Sequence, residues 1–283
     1  MQQYNHIITN PPRQKPTLSE AKYGIDIHQK VTGLSKTLHS TISYNLDIET
    51  NSRHSFSTWK KSNIRINDSV DTLKMDSVYL KVAEPLNDLN FGLDNNRKIK
   101  EIYNHRAILK NWKNQRSSIL KQYKGDVVEL LVKKMTDKLS DYDTLKKSVS
   151  RDLVLQHITG NTLNDHLIYY GSHKDNVQYS GLIDPVSLPF KRTSTLGLKN
   201  DKLHLQSKAE LNIEKIDTQK VAHYFKNKVE DFDTQNLKAT IISDLQLDYN
   251  SIWIEDAHIT HTVWVTHSNY KKEITLAIKK IHP

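Results

Sequence analysis

The chain has 283 residues, of which 36% are hydrophobic and 26% charged, and 41 Lys and Arg residues against 32 Asp and Glu residues give a formal net charge of +9. It contains no cysteine, which excludes disulfides, thiolate nucleophiles and cysteine-ligated zinc or iron–sulfur centres. The sequence shows neither a secretory signal nor the run of about 18 apolar residues that a membrane-spanning helix needs, so we expect a cytoplasmic protein without a transmembrane segment.

The excess positive charge is concentrated in one segment, residues 97–124. This segment holds nine of the 41 Lys and Arg residues but only one of the 32 Asp and Glu residues, Glu101. The rest of the chain is therefore almost neutral. A charge imbalance this local is typical of a contact surface for a polyanion or a protein partner. The alternative is a solvated helix face that pairs with acidic residues elsewhere in the same protein.

The first 160 residues predict an arm, strands and a hairpin. Residues 1–20 contain three prolines and no apolar period, which predicts an extended N-terminal arm. Residues 38–49 alternate between apolar and polar side chains, as a half-buried antiparallel strand does, with 23–27 and with 56–58 together with 64–66 as its neighbours. A short helical or irregular piece at 69–84 precedes a hairpin that turns at Asp94, Asn95 and Asn96.

Three helices are predicted next, within a domain that we expect to span residues 21–160. Asn104 is a suitable N-cap for the first, which ends near Gly125. Asp126 is the predicted N-cap of the second, and Asp141 or Asp143 is the predicted N-cap of a third that Gly160 ends.

The remaining sequence predicts a linker and a second domain. Residues 161–184 are rich in Gly, Asn, Asp and Ser and read as the linker. Residues 185–283 read as an antiparallel β domain with one helix at 217–229 and a β-bulge at Glu255 and Asp256. The predicted fold class is therefore α+β, with antiparallel β-rich segments at both ends flanking a three-helix segment. A weak similarity between 33–49 and 197–214 leaves open whether the two β-rich ends are repeats.

Several catalytic site types are excluded by the positions of the glycines. The eight glycines are never closer than nine positions apart, so the chain has no G-x-G, no P-loop and no G-x-S-x-G elbow. Dinucleotide enzymes, P-loop NTPases and ordinary α/β-hydrolases are therefore disfavoured. We predict no cofactor, and the sequence leans away from an enzyme without excluding one.

Histidines and carboxylates give no clear metal site. His258 and His261 are three residues apart in a predicted strand, which puts them on opposite faces, so they cannot share one ion. We therefore predict no metal centre. Glu230, Asp231 and Asp233 follow the 217–229 helix, and they are read either as a polar loop or as a catalytic or cation-binding group.

The basic segment coincides with the first of the three predicted helices. At about 100° per residue, the apolar side chains of this helix, Trp112 and Tyr123 included, fall within about a third of its circumference. These aromatic rings are therefore expected to anchor the helix rather than to stack on nucleic-acid bases. The cations are predicted to form an interaction stripe made of Lys98, Lys100, Arg106, Lys110, Lys113, Arg116, Lys121 and Lys124.

The sequence favours a non-enzymatic structural or interaction protein. Few glycines, long amphipathic strands and the lack of a catalytic constellation support this expectation. The abundance of Asn, Lys and Ile is typical of AT-rich genomes and suggests a subunit or adaptor of a larger bacterial or viral assembly, bound to a protein partner or to copies of itself. Three alternatives stay open: a polyanion-binding protein that holds nucleic acid on residues 97–124, a β-rich module for a small molecule or lipid, and a hydrolase of unrecognised type.

Overall fold

The computed structural model describes residues 18–33, 36–51, 56–67, 74–94, 98–160, 165–200 and 202–282. Alternating apolar and polar side chains form eleven strands in these ranges. The strands form one antiparallel sheet in the order β5-β4-β3-β2-β1-β11-β10-β9-β8-β7-β6. They are β1 Leu18–Thr32, β2 Leu38–Asn51, β3 Phe56–Ile66, β4 Asp88–Leu93, β5 Ile99–Ile102, β6 Ser172–Ile183, β7 Val186–Lys199, β8 Lys202–Leu211, β9 Leu237–Asp248, β10 Ile254–Val265 and β11 Lys271–Lys280.

Seven α-helices lie between these strands in the described part of the chain. They are α1 Lys74–Ala83, α2 His105–Gln122, α3 Asp126–Ser140, α4 Tyr142–Ser150, α5 Leu153–Gly160, α6 Asp165–Tyr170 and α7 Thr218–Phe225. None of these seven helices is long and apolar enough to span a membrane. Most of the expected N-terminal arm lies outside the described residues, and its last three residues, from Leu18, belong to β1. The turn residues Asn95 and Asn96 also lie outside the described residues.

The predicted fold class is wrong in its arrangement. Strands are spread along the chain instead of being confined to its ends, and β6, β7 and β8 occupy most of residues 172–211. The physical reason lies in β6, which is the last strand of the sheet. Most of its side chains alternate only between exposed and half-buried, so its sequence carries little of the apolar period that marks a buried strand. Its polar composition therefore resembled that of a linker.

The chain divides into two compact units. Unit 1 comprises Met1–Lys15, Gly24–Thr41 and Asp152–Pro283, and unit 2 comprises Pro16–Tyr23 and Ile42–Arg151. Each unit has a buried apolar core of its own. The predicted β-bulge is confirmed in unit 1, where the register between β10 and β9 shifts between Ile254 and Asp256.

The core of unit 2 is formed where helices α1 to α4 pack on one another and on the strands. Trp59 and Phe91 meet with ring centroids 5.6 Å apart, and both are buried. α2 packs against α1 and α3, and α4 packs against α3 and β5. The hydroxyl of Tyr142 accepts a hydrogen bond of 2.9 Å from the backbone N–H of Ile102, which fixes the start of α4 to β5.

The first two of the three predicted helices have boundaries close to those predicted, whereas the helix predicted at 217–229 ends earlier, at Phe225. α2 begins after Asn104, although the side chain of Asn104 makes no capping hydrogen bond. α3 begins at Asp126, so the predicted cap is wrong by one residue and Gly125 occupies the N-cap position. The side chain of Asp141 accepts a hydrogen bond of 2.6 Å from the N–H of Thr144 and so caps α4. The third predicted helix is interrupted, because Asp152 accepts a hydrogen bond of 3.1 Å from the N–H of Leu155 and starts α5 as a separate helix.

Candidate functional site

The apolar side chains of α2 are buried on one side of the helix, as their helical spacing predicts. Ile108, Trp112 and Ile119 are each only 1–2% exposed. The indole N–H of Trp112 donates a hydrogen bond of 3.0 Å to the hydroxyl of Thr136 on α3. Tyr123 follows the helix, is half-buried and lies with its ring centroid 5.3 Å from the ammonium of Lys81. Both aromatic residues therefore belong to the packing of unit 2, as predicted.

The outward side of α2 carries four cations that we call the basic face: Arg106, Lys110, Lys113 and Lys121. All four side chains are exposed. At about 100° per residue they fall within about 80° of the helix circumference. With a rise of about 1.5 Å per residue, the distance along the axis from Arg106 to Lys121 is about 22 Å. The basic face is therefore a narrow band that runs along most of α2.

The other predicted stripe residues lie apart from this band. Arg116 is exposed but is offset toward the apolar side of α2. Lys124 follows the helix, and its ammonium donates a hydrogen bond of 2.7 Å to the carbonyl of Leu120, which satisfies one of the free carbonyls at the end of α2. Lys98 and Lys100 flank Ile99 at the outermost strand, β5, where lysines discourage edge-to-edge pairing.

The charge of these eight cations is not neutralised by ion pairs within the described residues. None of the eight side chains lies within 4.0 Å of a carboxylate oxygen there. The structure thus gives no support, over the described ranges, to pairing of the stripe with acidic groups of the same chain. The positive charge of α2 is directed to solvent or to a partner.

An exposed apolar pair, Val127 and Leu130, lies on α3 and was not identified from the sequence. Val127 and Leu130 are 55% and 50% exposed. Lys134 lies four residues beyond Leu130, on the same side of α3, and is also exposed. The helical period predicts that Val127 is exposed, because its side chain lies about 100° around the helix axis from Val128, the first buried residue of α3. Only two residues, Gly125 and Asp126, separate the end of the basic segment, Lys124, from this pair.

Glu230, Asp231 and Asp233, the acidic group identified in the sequence, do not form one site in unit 1. Asp233 accepts a hydrogen bond of 3.0 Å from the N–H of Gln235 and caps a short 3-10 helix. Glu230 and Asp231 are exposed and line a depression of about 390 Å³ beside Ser268. Among the described residues, no group of three or more His, Asp or Glu side chains is placed to hold a metal ion.

A second depression of unit 1, of about 510 Å³, lies beside α7. Its polar lining mixes both signs of charge, with Lys220, Lys228 and Asp184 among its members. Lys220 forms an ion pair of 2.7 Å with Asp217, and the ammonium of Lys228 donates a hydrogen bond of 2.8 Å to a backbone carbonyl. These cations are already engaged within unit 1, unlike those of the basic face.

Two buried histidines in unit 1 were also missed as a pair. His157 and His261 are each 1% exposed, and their Nε2 atoms lie 2.9 Å apart. His258, by contrast, has a side chain that is 72% exposed, so the prediction that His258 and His261 face opposite ways is confirmed. No local sequence signal joins His157 to His261, because they are 104 residues apart and are brought together only by the packing of α5 on the sheet.

Comparison with known proteins adds no functional information. No protein-family model and no curated protein matches this chain. Among solved structures, the dehydratase domain from the CurJ module of curacin polyketide synthase is similar with a TM-score of 0.11 and 8% sequence identity, over 91% of this chain and 75% of that chain. A likeness at this level supports no statement about the fold or the function of this chain.

Proposed function

We propose that this chain is a non-enzymatic interaction protein, a subunit or adaptor of a larger assembly, and that α2 and the start of α3 bind an acidic surface of a partner protein. The observation that carries the proposal is the basic face, whose four exposed cations lie without a carboxylate partner in the described residues. Such a surface attracts an acidic partner and accelerates its association.

A protein partner fits this surface better than single-stranded nucleic acid does. Binding of single strands relies on exposed aromatic rings beside cations, whereas Trp112 is buried and Tyr123 is half-buried. The exposed pair Val127 and Leu130 supplies apolar area close to the end of the basic segment. Apolar residues surrounded by charged ones are the usual composition of a protein–protein interface.

Duplex nucleic acid is the second candidate, and the basic face itself favours it. Each cation that neutralises a phosphate releases a counterion, so four cations predict a salt dependence with a slope of about −4 in log–log form. This binding would be independent of base sequence, because a band of lysines on a helix offers charge without a pattern of base contacts. It would also make no use of the apolar pair on α3.

The two candidates can be separated by fluorescence anisotropy with three labelled probes at about 50 to 200 mM salt. The probes are a poly-L-glutamate peptide of about 20 residues, the same peptide with leucine at every fourth position, and a DNA duplex of about 20 base pairs. We expect the leucine-containing peptide to bind most tightly. Neutralising the basic face with Arg106→Gln, Lys110→Gln, Lys113→Gln and Lys121→Gln should weaken its binding at least about fourfold, since each of the four exposed ion pairs contributes about 0.2–1 kcal/mol.

The matched control removes the same charge from exposed lysines of unit 1, with Lys199→Gln, Lys202→Gln, Lys226→Gln and Lys238→Gln. This control should bind the leucine-containing peptide like the wild type. Val127→Ser with Leu130→Ser should abolish the advantage of that peptide over poly-L-glutamate. Equal weakening by the basic-face variant and the control would refute the proposal, and tightest binding to the duplex, unaffected by the Val127 and Leu130 changes, would establish nucleic acid instead.

A further inference from the structure

β6 lies at one end of the sheet, where β7 is its only neighbouring strand in the described part of the chain. It pairs with β7 residue by residue and without a bulge from Ser172, opposite Thr195, to Tyr179, opposite Leu188. The strand at the other end of the sheet, β5, has only four residues, and the hydroxyl of Tyr142 already accepts a hydrogen bond from one of its N–H groups. β6 is therefore the longer and more regular of the two edges of the sheet.

One backbone hydrogen bond shows which groups of β6 point away from β7. The N–H of Leu196 donates a bond of 2.8 Å to the carbonyl of Gly171, the residue just before β6. Along an antiparallel pair, directly opposite residues alternate between exchanging both backbone bonds and exchanging none. Counted from Gly171, the odd-numbered residues bond to β7, and the even-numbered residues direct their N–H and C=O outward. The outward-facing residues are Ser172, Lys174, Asn176 and Gln178.

Two further contacts agree with this alternation. Pro189 lies opposite Gln178, and its carbonyl accepts a bond of 2.9 Å from the N–H of Asn212, which follows β8, so it faces away from β6. Ser180 is the next even-numbered residue of β6. Its N–H and its carbonyl are each bound at 3.0 Å by the side-chain amide of Gln156 on α5. Gln156 thus occupies, at this point of the edge, the place that a neighbouring strand would take.

The outward backbone groups that precede Ser180 have no such cover. All four residues that carry them are exposed. Over the described ranges, no loop or side chain forms a hydrogen bond with their outward N–H and C=O groups. A row of free N–H and C=O groups along a regular edge is a template for pairing with another strand.

The charges beside this edge decide which strand fits it. Lys174 lies on the exposed face of β6, and the ladders place Lys191 of β7 and Lys208 of β8 on the same face. Glu210, opposite Lys191, forms an ion pair of 2.7 Å with Lys208. Lys174 and Lys191 have no carboxylate oxygen within 4.0 Å among the described residues. The exposed face next to the open edge is therefore positive.

We propose that β6 is a strand-addition site, where an extended acidic segment of a partner protein pairs antiparallel with residues 172–178. The backbone of this segment bonds to the outward N–H and C=O groups of β6. Its acidic side chains opposite Lys174 and Asn176 lie on the face that carries the lysines, and opposite charges at opposed positions of a sheet stabilise the pairing. The site lies in unit 1 and does not involve α2, so it is separate from the contact proposed above.

A second copy of this chain fits the edge less well than an acidic segment does. Antiparallel self-pairing through all four outward-facing residues places Asp175 directly opposite Asp175 of the copy. It also brings the lysines of both copies together on one face. Like charges directly opposite each other destabilise a sheet, so the charge favours an acidic strand from another protein.

Hydrogen exchange of single amides in the wild-type chain, followed by NMR and corrected for intrinsic rates, tests the edge before any ligand is added. The even-numbered amides from Lys174 to Gln178 lack a strand partner, so they should exchange at least about tenfold faster than the odd-numbered amides from His173 to Val177. Equal exchange of the two sets would overturn the assignment of the outward groups.

The probe for the ligand is a peptide of about eight residues in which threonine and glutamate alternate, added at about 1 mM. It should slow the exchange of the even-numbered β6 amides at least about tenfold and leave the odd-numbered ones unchanged. Methylation of the glutamate backbone nitrogens removes the N–H groups directed at β6 and should abolish this protection. The same methylation at the threonines, whose N–H groups point away from β6, should retain it, and a peptide of alternating threonine and lysine should give none.

The variant Asn176→Pro blocks the edge while the ladder with β7 is kept. The N–H of Asn176 points outward, a position at which an edge strand tolerates proline, so the urea midpoint should stay close to that of the wild type. The threonine–glutamate peptide should no longer protect the amides of Lys174 and Gln178 in this variant. The matched control Asn176→Thr keeps the N–H and should leave the protection intact.

Three further results would overturn the proposal, and none of them requires Asn176→Pro to fold. One is the absence of added protection with the threonine–glutamate peptide. Another is equal protection by the two methylated peptides, because charge alone would then hold the ligand. The third is self-association of the chain that by itself protects the even-numbered amides, because a second copy would then occupy the edge.

Discussion

Trp112 provides the sharpest test of how α2 is built, because replacement by alanine removes its largest buried side chain. Trp112 is 1% exposed, and buried Trp-to-Ala changes cost about 3–5 kcal/mol of unfolding free energy. Loss of the hydrogen bond to Thr136 adds little to this, since the Thr136 hydroxyl still donates a bond of 2.8 Å to the carbonyl of Val132. We therefore expect Trp112→Ala to lower the unfolding free energy by about 4 kcal/mol in urea titrations followed by circular dichroism.

Trp112→Phe is the matched control, since it keeps an aromatic ring in the core and loses only the indole N–H and part of the volume. It should cost about 1–2 kcal/mol. Duplex DNA and acidic peptides should bind both variants, where folded, as they bind the wild type. A Trp112→Ala protein of unchanged stability that binds nucleic acid more weakly would refute the reasoning, because it would show an exposed stacking ring instead of an anchor.

Three further predictions concern single sites, each measured by urea unfolding. Arg106→Glu should raise the unfolding free energy by about 0.5 kcal/mol, because it places a negative charge in the first turn of α2, and should weaken acidic-peptide binding in the anisotropy assay. Asp175→Asn should cost about 3 kcal/mol, because it removes the carboxylate partner of Arg192, whose side chain is only 16% exposed. Asp175→Leu with Arg192→Met should recover most of the loss. Gly33→Ala should cost more than about 2 kcal/mol, because Gly33 has a φ of 81° and the added Cβ would lie 2.4 Å from backbone atoms of Asn269.

Features that depend on neighbours in sequence could be predicted, and α2 shows why. The apolar side chains of this helix recur at the helical period, and Gly125 follows it with a φ of 120°. The apolar period and the terminal glycine are both local signals, so they predict the helix and its buried side without knowledge of the rest of the fold. The basic face followed from the same period, because cations that avoid the apolar stripe must lie on the other side.

Features that depend on distant contacts could not be predicted. β6 pairs with β7 through a ladder that begins with Ser172 opposite Thr195, yet its polar side chains carry no strand signal of their own. The contact between His157 and His261 requires α5 and β10 to be packed together, and nothing near either residue indicates the other. Long-range packing decides both cases, and a single sequence contains no direct record of it.

The stability of α2 itself does not account for all four cations of the basic face. Cations near the C-terminus of a helix interact favourably with its dipole, which accounts for Lys121. Arg106 lies in the first turn, where a positive charge is unfavourable, and it precedes Lys110 by four residues, a spacing at which like charges repel by about 0.2–0.5 kcal/mol. No carboxylate in the described residues offsets these costs through an ion pair with either side chain. Cations that α2 retains against its own stability, while Trp112 is fully buried, support the proposal that the basic face binds an acidic partner.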